Sequence, residues 1–305
     1  MVSIEERKRR LHDNMSVKKT TTIVEQLRRA QMNELLALNK RLDGRGLKDH
    51  RELRIDVGLI KKANGSALVS LGNTQVIAGI KVEVDEPFPD MPDKGLFICN
   101  AEVLPLASPY AEPGPPDEDA IELARVVDRG IRESEMIALD KLVLMSGKKV
   151  YAVFADVSVL NSDGNLFDAT SYAVVAALLT ARIPKYDVQD DKLVKSEETI
   201  PLPINTVPVS VTMAKIGNSI IVDPTAEEEA CMEARITIAT DEHGRVCAIQ
   251  KGGSGTFSLE QLSEVAALAI SIGNEVREKI KNAVASVSTN NNNNDDNDIN
   301  KSMAS

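Results

Sequence analysis

Asp156-Val157-Ser158-Val159-Leu160-Asn161-Ser162-Asp163-Gly164-Asn165-Leu166-Phe167-Asp168-Ala169-Thr170-Ser171, running on to Ala181, is the stretch whose reading decides the fold. The run Val150 to Leu160 is almost all apolar or β-branched, which suits a strand covered on both faces. Asp163-Gly164-Asn165 is turn chemistry, and Asn165 or Asp163 is placed to cap a following helix. Ala169, Ala173, Val174, Ala177, Leu178 and Ala181 then recur at helical spacing, and Pro184 comes after the helix.

A strand feeding a helix through a glycine turn is an anion site by construction, because the first-turn amides and the helix dipole favour negative charge. This chain puts Leu166, Phe167 and Asp168 in that slot. The Asp is itself negative and would compete with a bound phosphate. The alternative is an ordinary strand-to-helix turn whose Asp only supports the dipole.

Working outward, the region before this unit reads as strands. Leu53, Ile55 and Val57 alternate with polar residues, and residues 66–84 form a hairpin about Gly72-Asn73. Phe97 to Leu106 is a further strand and Ala120 to about Asp140 a helix. The region after it repeats the theme: alternation from Val207 to Met213, a strand Ser219–Val222, a hairpin about Glu242-His243-Gly244, and a long amphipathic helix from Leu259 to Ile280. The expected organisation has five parts: a mobile basic N-terminus (1–20), an N-terminal helix (21–40), a first half (41–185), a second half (204–285) and a disordered Asn/Asp-rich tail (288–305). The charged stretch Pro184–Pro203 reads as a connection and as the best domain boundary.

The totals narrow the function classes. Only 3% of the 305 residues are aromatic and none is Trp, so the core must be aliphatic. No apolar run approaches the roughly 20 residues of a membrane span, and Glu5 to Arg10 is charged where a signal peptide would be apolar, so a cytoplasmic location is expected with no membrane partner. Three scattered cysteines and three scattered histidines offer neither a disulfide framework nor a metal spacing, so no cofactor and no metal is expected. The net charge of −10 makes the whole chain a poor nucleic-acid binder, so any RNA contact must use a local basic stripe or a more basic partner.

Four segments together resemble the RNase PH family: Arg41-Leu-Asp-Gly-Arg45, the hairpin Gly65-Ser-Ala-Leu-Val-Ser-Leu-Gly-Asn-Thr-Gln-Val76, Ile121-Glu-Leu-Ala-Arg125, and Asp163-Gly164 with its helix. The similarity spans about Arg41 to Lys281 and is greatest to the non-catalytic ring subunits of the archaeal exosome. It implies an α+β, RNase PH-like fold of duplicated β-α-β units with mixed sheets and packed helices. It also implies a hexameric ring of alternating subunits that degrades RNA 3′ to 5′ by phosphorolysis. The implied partners are a catalytic RNase PH-like exosome subunit, RNA-binding cap proteins of the S1 or KH type, and RNA.

Three departures from the active pattern mark this copy as the inert partner. Active members of the family follow the Asp-Gly turn with a hydroxyl- and Arg-bearing segment that holds inorganic phosphate; here Leu166, Phe167 and Asp168 form a degenerate phosphate site. An Arg pair is replaced by Glu118 and Asp119, and an Asp of the second half by Arg235. No residue is therefore expected to be catalytic. The alternatives are an active phosphorolytic 3′-to-5′ exoribonuclease with unusual phosphate ligands, or a small-molecule enzyme using Glu227, Glu228, Glu229 and Glu233 for a metal; the simpler reading of those carboxylates is a solvated helix start.

Arg125, Arg129 and Arg132 stand at i, i+4 and i+7, on one helix face. Like charges so spaced repel unless an anion sits between them. Local pairing (Glu122 with Arg125, Arg129 with Glu133, Asp128 with Arg132) is one reading, and the family resemblance supports another, in which they meet RNA phosphates. Arg45 and Lys48 offer a second route to RNA, with surface solvation the simpler account, and Arg182 reads as a helix C-terminal partner.

Overall fold

The computed structural model describes residues 23–302 apart from 110 and 190–191, so the N-terminus read as mobile (1–20) lies outside the described residues. A first helix, α1, spans Ile23–Ala37. Strands β1 (Leu53–Val57), β2 (Gly65–Leu71) and β3 (Thr74–Asp85) then form an antiparallel meander. Its tight turn has Leu71 opposite Thr74, and Gly72 sits at φ +57, a left-handed conformation costly to residues with a Cβ.

Strand β4 is Leu96–Val103, helix α2 is Glu118–Glu133, β5 is Val143–Met145 and β6 is Lys149–Asn161. β6 lies inside the sheet, antiparallel to β3 and parallel to β4, giving the order β1-β2-β3-β6-β4 with β5 added on β6. A parallel pair needs a crossover, and the chain between β4 and β6, which carries α2, supplies it. Asp117 caps α2 by accepting the Ala120 amide at 2.8 Å. The helix is shorter than the sequence predicts, because Glu135 turns left-handed at φ 53.

Helix α3, Leu166–Leu179, is buried from Phe167 to Leu178, as expected of a helix apolar on all sides. It packs on β2 and β3 on one side and on β9 (Val209–Ile216) on the other. The second sheet is antiparallel, in the order β10-β9-β11-β12, with β10 Ser219–Val222, β11 Ala234–Thr240 and β12 Val246–Gly253. α2 bridges β4 and β12 beside α3, so two helices are held between two sheets. A short helix α4 (Ala226–Cys231) precedes β11, and α5 begins at Leu259 and covers the far face of the second sheet, where Val265 and Ala269 meet Val211, Met213, Ile236 and Ile238. The architecture is α+β, as expected, with both parallel and antiparallel strand pairs.

Two segments differ from their sequence reading. The stretch Pro184–Pro203, expected to be a charged connection and domain boundary, lies mostly in a two-stranded hairpin, β7 (Arg182–Gln189) with β8 (Lys192–Pro201). The base of the hairpin is anchored, with Ile183 buried in the main core and Tyr186 against Tyr151, ring centroids 5.9 Å apart, while the rest is mostly exposed, so its strands show no clean apolar alternation. The Asn/Asp-rich segment, for which the sequence predicts disorder, continues α5 as far as Ser302. Adding residues to a helix already fixed by packing avoids the nucleation cost. Among the described residues no helix is long and apolar enough to cross a membrane.

Candidate functional site

The turn before α3 is left-handed and covered by the segment that enters α4. Gly164 (φ +81) and Asn165 (φ 52) are both left-handed. A Cβ at Gly164 would stand 2.5 Å from the Ala226 nitrogen and 2.7 Å from the Pro224 oxygen, so the segment entering α4 forms a roof over the turn. From that roof Glu229 reaches down, and its Oε1 accepts the Asn165 backbone N–H at 2.9 Å. A carboxylate of the chain itself thus meets the N-cap amide at the start of α3. Burial raises the pKa of Glu229, while the Asn165 amide and the positive charges of Arg235 and Arg51 counter that rise.

Asp168, expected to be the blocking charge, does something else. Its side chain is fully buried and points to β9, where Oδ2 accepts the Thr212 amide at 2.9 Å and Oδ1 accepts the Thr212 hydroxyl at 2.7 Å. Asp168 thus ties α3 to the second sheet, and the carboxylate that meets the turn is that of Glu229. Without Asp168 the inward-facing Thr212 amide would lose its acceptor, and the Thr212 hydroxyl would keep only Thr237. Nor does Asn165 or Asp163 cap the helix through its side chain: the Asn165 amide donates to Asp168 (2.8 Å) and Asp223 (2.7 Å), and the Asp163 carboxylate accepts from Asn73. Phe167 is buried with its ring covered by the Arg235 guanidinium, 3.9 Å from the centroid, and Arg235 donates to Glu122 at 2.9 Å. Leu166 is half-buried against the main core. Two of the three departures read from sequence therefore meet, because Phe167 and Arg235 form one stack with Glu122 of α2. The third pair, Glu118 and Asp119, is exposed in the first turn of that helix.

Beneath the turn lies a network of buried charges. Arg51 donates to the carbonyls of Asp163 (2.7 Å) and Gly164 (3.2 Å), and its guanidinium also grips both oxygens of Asp223, at 2.9 and 2.7 Å. Burial alone would raise the Asp223 pKa, but Arg51, His50 and Asn165 together hold it well below the usual carboxylate range. Arg41 and Glu228 form a fully buried pair, Nε to Oε1 at 2.8 Å. His50 stands between two carboxylates, 3.8 Å from Asp168 and 3.9 Å from Asp223. Burial lowers its pKa to about 4, against the attraction of Asp223 and with Arg51, Arg45 and Lys279 opposing its protonation. Burial lifts Asp168 to about 7, with Asp223 adding to the rise and the bonds from Asn165 and Thr212 opposing it.

The face of α2 is arranged in the opposite way. Arg132 pairs with Asp128 at 2.9 Å and reaches the Phe97 carbonyl at 3.3 Å. Of the three local pairs the sequence allowed, this is the one formed among the described residues; Glu122 goes instead to Arg235. Arg125 and Arg129 are exposed and have no ion pair among the described residues. All three arginines line an open groove of about 970 Å³ together with Phe88 and Ile121. The other basic candidates are engaged: Arg45 with Asp43 and Asp223, Lys48 with Glu264, and Arg182 with Thr199 of the hairpin rather than with a helix end. Of the acidic cluster, Glu228 and Glu229 are committed to Arg41 and Asn165, and no group of three or more His, Cys, Asp or Glu among the described residues is placed to hold a metal.

Two family models match the chain, the 3′ exoribonuclease family domain 1 over residues 49–184 and domain 2 over residues 206–272. The exosome complex component Rrp42 of Thermococcus kodakarensis is 52% identical over 86% of this chain and 97% of its own length. That of Methanopyrus kandleri is 49% identical over 84% of this chain and 97% of its own. Among solved structures, a chain of the Archaeoglobus fulgidus exosome with RNA bound to the active site superposes with a TM-score of 0.78 and 45% identity, covering 85% of this chain and 99% of that one. A chain of an archaeal exosome core gives 0.75 and 42%, covering 85% and 98%.

Proposed function

The chain belongs to the 3′ exoribonuclease family of the RNase PH type, and on that premise we propose that it is the RNA-guiding, non-catalytic subunit of an exosome ring. It is a ring component of a 3′-to-5′ RNA-degrading complex, and the reaction is carried by an RNase PH-like partner that alternates with it in a hexamer. S1- or KH-type caps complete the entry to the ring, and the assembly works in the cytoplasm.

One observation carries the inert half of this reading: the Glu229 carboxylate already sits at the α3 N-terminus. Phosphorolysis begins with inorganic phosphate held beside the 3′-terminal phosphodiester, and the attack puts growing negative charge on the transferring phosphoryl group. A site that presents a resident carboxylate and a buried Phe167 meets that nucleophile with like charge and without a hydroxyl or guanidinium in the slot. Arg235, the cation within reach, is spent on Phe167 and Glu122 rather than free to meet the charge.

The guiding half rests on Arg125 and Arg129, exposed and without ion pairs among the described residues, with Arg132 beside them. Guanidinium groups so displayed suit phosphate oxygens of a single strand. The free edge of β12, where Val246 and Ile249 are exposed, supplies apolar surface for a ring neighbour. The deciding experiment mixes the chain with poly(A) and phosphate, alone and with an RNase PH-like partner. Nucleoside diphosphates are expected only from the mixture; their release by this chain alone overturns the proposal.

A further inference from the structure

Phe88 is 45% exposed in a chain with only five phenylalanines and no Trp. It sits in the loop between β3 and β4, flanked by Pro87 and Pro89. The loop is pinned: the Met91 amide donates to the Phe88 carbonyl at 2.9 Å, the Gly147 amide to the Pro92 carbonyl at 3.1 Å, and the Gly95 amide to the Leu139 carbonyl at 2.8 Å. An aromatic ring is thus presented to solvent on a backbone with little freedom left to lose.

Phe88 stands where two cavities meet. On one side is the groove in which Arg125, Arg129 and Arg132 stand among Glu118, Glu122, Asp128 and Glu133, of which Glu122 is taken up by Arg235 and Asp128 by Arg132. On the other is a hollow of about 470 Å³ whose wall sets Met91, Leu96, Ile137 and Leu139 among the polar Lys94, Glu135, Asp140 and Asn205, and Arg132 and Phe88 belong to both. The volume is that of a small-molecule pocket, and its mouth opens beside cations that suit a phosphodiester backbone. Single-stranded RNA is read by splaying bases out of the stack onto aromatic and guanidinium planes.

Building on the RNA-guiding role above, we infer that the hollow beside α2 receives one unstacked base of the RNA, with Phe88 as its stacking wall, while the phosphates lie on Arg125 and Arg129. The contact is sequence-tolerant, because every base has a face to stack. It adds to affinity a part that salt does not screen.

The test measures oligoadenylate binding by the ring assembled with its RNase PH-like partner, without phosphate so that no RNA is consumed. Phe88→Ala and Phe88→Leu are expected to weaken binding about five- to tenfold, within the range of one base–aromatic stack, with the salt slope unchanged and the ring intact on size exclusion. Phe88→Tyr is expected to bind as the unaltered ring does. An oligonucleotide with one abasic position in register should bind the unaltered ring and Phe88→Ala equally. Unchanged affinity in Phe88→Ala, full rescue by Leu, or a ring that falls apart overturns the inference, the last because Phe88 would then belong to a protein contact. If Arg125→Glu with Arg129→Glu weakens binding while Phe88→Ala does not, only the base site fails. If the arginine variant also binds normally, the RNA-guiding reading fails with it.

Discussion

The two helices held between the sheets present opposite kinds of polar surface. The N-terminus of α3 has its charged neighbours matched from within: Glu229 on the Asn165 amide, Asp168 on Thr212, Arg51 on Asp223 and the turn carbonyls, Arg235 on Glu122. The outer face of α2 leaves Arg125 and Arg129 exposed and, among the described residues, without such partners. The difference separates holding a scaffold from holding a ligand. Charges that have found each other in a dry interior lock a shape, and charges left in water remain available to phosphate.

Breaking the closed region should have the largest effect. Arg51→Ala strips buried Asp223 of its bidentate partner, leaving it Arg45 and Asn165, and takes the donor from the Asp163 carbonyl, so it is expected to cost about 3 kcal/mol, the low end for a broken buried pair, read as a lowered denaturation midpoint with an unchanged m-value. Gly164→Ala meets a left-handed backbone and the α4 roof at 2.5 Å together, and should cost about 2–4 kcal/mol in the same measurement. Breaking the open region should spare the fold. Arg125→Glu with Arg129→Glu is expected to lower RNA affinity of the assembled ring by roughly tenfold, and to flatten the dependence of log K on log salt by about 0.7 for each phosphate no longer neutralised. An unchanged thermal midpoint would accompany it; a large fall would show that these arginines hold structure after all.

The smallest effect sharpens the comparison through pH. Asp168 is lifted from 3.8 to about 7, so between about pH 4 and 7 the folded chain keeps a proton that the unfolded chain has shed, and stability falls as pH rises. His50 is lowered from 6.5 to about 4, so over that window the unfolded chain holds the extra proton and stability rises with pH. The two slopes oppose each other. Asp168→Asn removes the first and leaves the second, so urea midpoints of the variant are expected to climb between about pH 4 and 6.5 more steeply than those of the unaltered chain. A curve parallel to that of the unaltered chain would place the proton elsewhere in the cluster.

Much of the fold was legible along the chain. The 66–84 hairpin and the β6–turn–α3 unit carry strong period and turn signals, and both stand where the sequence puts them. The β7–β8 hairpin was not legible because only its base, at Ile183, is buried, and the exposed remainder carries no apolar alternation. The helix start read at Glu227–Glu229 is α4, six residues long and opened by a capping box of Thr225 and Glu228, but it is not solvated throughout, because Glu228 is buried on Arg41. At the turn, the sequence shows Leu166, Phe167 and Asp168 but not the carboxylate that reaches it. Asp168 was the nearest acid in the chain, whereas Glu229 arrives from 64 residues away across the roof of the turn. No local pattern records that meeting. Arg125 and Arg129 were legible because helical spacing alone places them together, and the diversion of Glu122 to Arg235 was not.

Strand β6 has one consequence for how the chain is made. It zips β3 on one edge and β4 on the other, yet it is translated after both, with residues 104–148 in between. At about 5–20 residues per second that interval lasts roughly 2–9 s. Throughout it the nascent polypeptide carries two unbonded strand edges, a standing invitation to chaperone capture or to intermolecular β-pairing.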